Sequence, residues 1–241
     1  MRLDPLEEIL TNNRSLAASA KRLYAAKNYA LATHVAILSC EESAKFLIIY
    51  CKSHLPDVIF KKRFQHLNKH VVSRAPWFLS GQLSVVYTIE LASSYAEDNE
   101  AFSAMFDPLS KFVSSQFFRT DPEGIARSII GVLEAKDAEV RDASKKADLQ
   151  REVDRLSSVY VDISDDLEVI AGPRNFHREN AKTYLEQAYF CLSVISFISK
   201  PSESVADFIE ALPWKERRQL KREATKTARD MVKHLNQSNV T

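Results

Sequence analysis

Glycine is scarce in this chain, with 4 residues in 241. There is no GxGxxG and no GK[ST], so a dinucleotide fingerprint and a phosphate-cradling P-loop are both absent. The same shortage disfavours a turn-rich all-β fold. Cysteine is sparse as well. Cys40, Cys51 and Cys191 form an odd set without CxxC spacing, each in an apolar helical context. That excludes a disulfide framework and a thiolate zinc site, and reads as reduced core thiols in a reducing cytoplasm. No apolar run reaches the ~20 residues of a membrane span; "YFCLSVISFIS" is among the longest. The opening "MRLDPLEEIL" is too acidic and polar for a signal peptide. An excess of one charge is also missing: the formal net charge is +1, so any grip on a polyanion must come from a local patch. A cytoplasmic protein with no membrane partner is expected.

What the chain does have is helix. Hydrophobic residues at 45% are ample for a core. Asp-Pro occurs at Asp4-Pro5, Asp107-Pro108 and Asp121-Pro122, pairing an N-capping carboxylate with a residue suited to the first helical position. The apolar spacing predicts helices over about 5–26, from 28 to just before Pro56, 57–72, 77–105, 108–119, 122–156 and 175–199. Residues 157–173, "SSVYVDISDDLEVIAGP", alternate around Asp165-Asp166 as a short β-hairpin or an ordered extended loop. Beyond Pro201, residues 203–236 are broken by Pro213 and rich in Lys and Arg, with a weak apolar stripe. The expected fold class is all-α: a helical bundle over 1–200 with a small β insertion, then a basic C-terminal helical extension over 203–236.

The second helix poses a question. "LATHVAILSCEESAKFLIIY" is strongly apolar, yet Glu41, Glu42 and Lys45 stand at its centre. Helical spacing lets Lys45 reach both carboxylates. A partly exposed intrahelical ion pair is one account, worth a few tenths of a kcal/mol. The apolar flanks favour the other, a buried network satisfied by a neighbouring element. A ferritin-like di-metal centre needs Glu-x-x-His on partner helices, and no Glu here has His three residues on. On the next helix Arg63, His66 and His70 share a face, with Lys69 beside them. This is either a solvated basic helix or a group able to do general acid–base chemistry.

"NYALATHVAILSCEESAKFLI", then "FQHLNKH", then "YVDISDDLEVIAGP" before a long helix, together resemble the AbiV family of abortive-infection proteins within the HEPN superfamily. The resemblance covers about 10–195 and excludes the basic C-terminal helix. It matches Glu41, Glu42 and Lys45 to an EE-x-x-K motif, and His66 and Lys69 to an H-x-x-K motif. It implies a HEPN-like bundle and a bacterial defence protein that shuts down an infected cell. It also implies a metal-independent, dimeric ribonuclease whose signature is Arg and His separated by four to six residues. Arg63/His70 and Arg229/His234 both fit that signature; Arg63/His70 is preferred because His66 and Lys69 stand on the same helix.

On this reading the ribose 2′-hydroxyl attacks its own phosphate, a neutral His70 or His66 takes the proton, and Arg63 and Lys69 stabilise the phosphate charge. Glu41 and Glu42 would hold His66 and Lys69 and raise the histidine pKa. RNA is the substrate, a homodimer the assembly and a phage-encoded protein the trigger; no metal or organic cofactor is implied. Arg218, Arg222, Arg229 and His234 would contact RNA, with Trp214 available for stacking. The rival is a non-catalytic protein- or ribosome-binding module that blocks phage propagation by occupancy.

Overall fold

A computed structural model describes residues 4–61, 65–95, 122–133, 138–160, 162–163, 169–200 and 205–238. The chain is an all-α bundle. Helix α1 (Pro5–Ala25) begins on Asp4, whose carboxylate accepts from the Leu6 amide at 3.0 Å. Its end is a Schellman turn: the amides of Lys27 and Asn28 return to the carbonyls of Tyr24 and Leu23. Lys27 takes the left-handed position, φ 61°, that glycine usually fills. Asn28 then caps α2 (Tyr29–Tyr50) through Leu31 N–H.

Helix α2 is the bundle's axle, packed against α1 on one side and the long α8 (Arg178–Ile198) on another. Small residues, Ala17 and Ala20 on α1 and Ala32, Ala36 and Ala44 on α2, are fully buried, which permits close approach of the backbones. One polar contact pins the α1–α2 seam: buried Asn13 donates to Ser43 Oγ at 2.7 Å and accepts from Ser39 Oγ at 2.5 Å. Because α2 is covered by several helices, its circumference is apolar nearly all round, as a central helix requires.

The expected helix over 57–72 is two. α3 (Asp57–Lys61) is short, and α4 (His66–Val72) starts afresh after Gln65, which is extended at φ −72°, ψ 128°. Helix α5 (Ala75–Tyr95), α6 (Pro122–Leu133) and α7 (Ala138–Ser157) follow. The expected helix over 108–119 and the end of the one over 77–105 lie outside the described residues, as do 134–137 within the stretch 122–156. The alternating segment forms a two-stranded antiparallel hairpin, Asp162–Ile163 with Val169–Ala171. Pro213 separates α9 (Val205–Ala211) from α10 (Trp214–Ser238), as a residue lacking a helical donor should. Helix α10 lies along α5, with Ala224 and Ala228 buried. Cys40, Cys51 and Cys191 are free, buried thiols. Among the described residues no helix is long and apolar enough to cross a membrane.

Candidate functional site

Three helices meet at Glu41. Its side chain is 2% exposed on α2. From α4, Lys69 Nζ approaches Glu41 Oε2 to 2.9 Å, and His70 Nε2 stands 3.7 Å from Oε1. From α7, Arg155 Nε lies 3.7 Å from the same Oε1. Glu152 completes the group. Its Oε2 is 3.0 Å from His70 Nε2, and its two oxygens are forked by Arg155 at 2.7 and 2.9 Å. Two carboxylates face an ammonium, a guanidinium and one imidazole, so the cluster is close to charge-balanced with His70 neutral. Such mutual pairing is the condition under which buried charge is tolerated.

Electrostatics assigns the protonation states. Burial holds His70 below its ordinary value, outweighing the hydrogen bond to Glu152 and the charge of Glu41. Neighbouring carboxylates do not prevail at this position: His70 is fully buried, and desolvation of the imidazolium costs more than the carboxylates return, while the expected raised pKa of His66 falls on a side chain outside the described residues. The Arg155 fork holds Glu152 down, to about 2, so Glu152 is ionised at neutral pH. A neutral His70 beside that carboxylate carries its proton on Nε2 and donates it to Glu152.

A second layer fixes α4 from behind. Ser73, at the end of α4, donates to the His70 carbonyl at 2.7 Å and accepts from Arg151 at 2.5 Å. Arg151 also reaches Gln187 on α8 at 2.9 Å. Arg74 pairs with buried Asp148 at 2.6 Å. Residues 148, 151, 152 and 155 therefore present one face of α7 to the core, the i, i+3, i+4, i+7 repeat of a helix. His34 is held where α7 ends, its Nδ1 3.0 Å from the Arg155 carbonyl.

The expected site residues divide. Glu41, Lys69 and His70 come together. Glu42 and Lys45 pair with each other at 3.1 Å instead, at 16% and 27% exposure. Arg63 lies outside the described residues; His66 opens α4, with its side chain outside them. Arg218, Arg222, Arg229 and His234 are exposed on α10, which packs on α5, whereas the Glu41 cluster is built by α2, α4 and α7. Sequence reasoning missed Glu152 and Arg155, which it placed in a charged, partly exposed helix. The available signal was their i, i+3 spacing on the face shared with 148 and 151.

Glu41, His70 and Glu152 could each offer a donor atom to a metal ion, within 4.8 Å of one another. The set suits one poorly. Lys69 and Arg155 already neutralise both carboxylates, and a divalent ion there would stand against two fixed cations.

The AbiV model, HEPN_AbiV, matches residues 3–193. No curated protein and no solved structure matches the chain. The match takes in α1 through most of α8, with Glu41, Lys69, His70, Glu152 and Arg155, and leaves out α9 and α10. The chain belongs to the AbiV family, abortive-infection proteins of the HEPN type.

Proposed function

We propose that this AbiV-family chain is a bacterial anti-phage effector that cuts RNA without a metal and so halts translation in infected cells. The observation that supports it most is the meeting of Lys69, His70 and Arg155 around Glu41 and Glu152 at one partly open point. Fixed cations suit the charge that develops on phosphate oxygens, and a neutral imidazole suits proton abstraction. Glu152 is the most exposed member at 27%. An RNA phosphate would take the place of its carboxylate, freeing the Arg155 fork and the Nε2 of His70.

With Glu152 displaced, His70 would shift its proton from Nε2 to Nδ1 by exchange with water, and the bare Nε2 would then take the proton of a ribose 2′-hydroxyl as that oxygen attacks the adjacent phosphorus. The leaving 5′-oxygen would take a proton from a second histidine, His66 or one from another subunit, giving a 2′,3′-cyclic phosphate. A homodimer supplies that second set of groups, Arg63 the remaining cation, and a phage-encoded protein the trigger. The test is RNA incubated with purified protein in excess EDTA. Cyclic phosphate ends that vanish in His70→Ala, by at least the ~10²-fold of a lost acid–base group, are expected. RNA left intact by a protein that protects cells would overturn the reading.

One observation favours a second reading. His70 is 0% exposed and its cationic neighbours are already paired, an arrangement that also serves a non-catalytic module acting by occupancy. Full protection by His70→Ala, with folding intact, would select it.

A further inference from the structure

Helix α10 lies outside the family match, and its charges are sorted. The buried seam on α5 is formed by Ala224 and Ala228, with Leu220 and Met231 packed beside them. Arg218, Arg222, Lys226, Arg229 and Lys233 are all exposed. Their spacing of 4, 4, 3 and 4 residues keeps them within about 80° of the helix circumference, opposite that seam. The acids Glu216, Glu223 and Asp230 repeat every seven residues and fall together on one flank of the basic ridge.

The other basic residues of this helix are occupied. Lys215 pairs with Glu186 at 3.0 Å, Arg217 with Glu210 at 3.0 Å, and Lys221 with Glu210. Arg222, Lys226 and Lys233 meet no carboxylate among the described residues. Arg218 leans instead over the ring of Trp214, 5.2 Å from its centre, and that indole is 63% exposed. An open groove of about 440 Å³ runs here, lined among the described residues by Lys221, Arg222, Thr225, Lys226, Arg229 and Asp230.

We infer that the ridge from Arg218 to Lys233 is a docking track for single-stranded RNA, with Trp214 stacking a base at its end. The ridge is about 22 Å long at 1.5 Å per residue. It offers five positive charges in a line, with no interleaved acid. That is charge complementarity to a phosphate backbone, and an exposed aromatic beside it is how sequence-tolerant single-strand binders hold bases. A lipid surface fits less well, because an interfacial helix inserts its apolar face and that of α10 is committed to α5. The inference deepens the RNA reading above, but rests on binding alone.

The test uses the full chain and a labelled oligouridylate with 2′-O-methyl ribose, which cannot undergo 2′-hydroxyl attack. Fluorescence anisotropy would be followed across salt concentration. Five neutralised phosphates predict a log–log slope near −3.5, and Arg222→Gln with Lys226→Gln should flatten it by about 1.4 while weakening binding about ten-fold or more. Lys182→Gln, which removes a half-exposed charge from α8 and not from the ridge, should leave both unchanged. Trp214→Ala should weaken binding with little change of slope. An unaltered slope in the ridge double variant, or binding to anionic lipid vesicles but not to the oligonucleotide, overturns the proposal. Binding without cleavage of natural RNA would leave the track standing and defeat the nuclease reading.

Discussion

Lys69 Nζ lies 2.9 Å from Glu41 Oε2, across the contact between α4 and α2. Both side chains are nearly out of solvent, at 11% and 2% exposure. The carboxylate that looked misplaced in an apolar helix is thus the anchor for the next element of the bundle. Glu41→Gln keeps the shape but strands the Lys69 ammonium, so it should destabilise the fold by about 3 kcal/mol, the scale for breaking a buried pair from one side. Chemical denaturation at neutral pH checks this. Glu41→Gln with Lys69→Met should recover much of the loss.

Glu42 and Lys45 should behave otherwise. They face each other at 3.1 Å within one helix and remain partly exposed, so Lys45→Ala should cost about 0.2–1 kcal/mol. A double-mutant cycle with Glu42→Ala would give the coupling directly. A loss as large as that of Glu41→Gln would mean the pair reaches a buried partner.

The contrast shows which parts of the fold were legible in the sequence. Helix periodicity, Asp-Pro starts and the break at Pro213 are local signals, and α1, α2, α8 and α10 follow from them. The burial of Glu41 followed from its apolar neighbours, and its partner on α4 from a short connection between helices. Glu152 and Arg155 were hidden because their helix is charged on most of its surface. Only contact with α4 distinguishes the inward charges from the outward ones. The break at Gln65 carries no Gly or Pro to announce it. The depressed His70 pKa depends on full burial, which neighbouring carboxylates in a sequence do not reveal.

The pH dependence follows from those shifts. His70 is faced by Glu41 from α2, by Lys69 beside it on α4, and by Arg151, Glu152 and Arg155 from α7. Its folded-state pKa lies below the ordinary 6.5, so the unfolded chain binds the proton more readily. Stability is therefore full above that value and should decline as pH falls below it. A second decline should come between the ordinary 4.5 and about 2, as Glu152 is protonated. Denaturant midpoints measured from pH 8 to pH 3 check both, and His70→Gln should abolish the first decline only. A midpoint that rises on acidification toward pH 6 would place the imidazole above its ordinary value.

Helix α4 has seven residues, too few to stand alone, since an isolated helix of that length is not stable in water. Its position must come from outside. Glu41 and Glu152 hold Lys69 and His70 at the front, and Arg151 ties the Ser73 end to Gln187 on α8 at the back. Arg151→Met fills similar space but leaves the Ser73 hydroxyl and the Gln187 carbonyl without their donor. It should destabilise by about 2 kcal/mol, on the scale of hydrogen bonds to a charged group. The local effect is the sharper test. Amide exchange over residues 69–73 should quicken more than in α1 or the middle of α2, because α4 can then open without the rest of the bundle. Uniform quickening would mean that Arg151 supports the whole core. Unchanged exchange would mean that the carboxylates alone keep Lys69 and His70 in place.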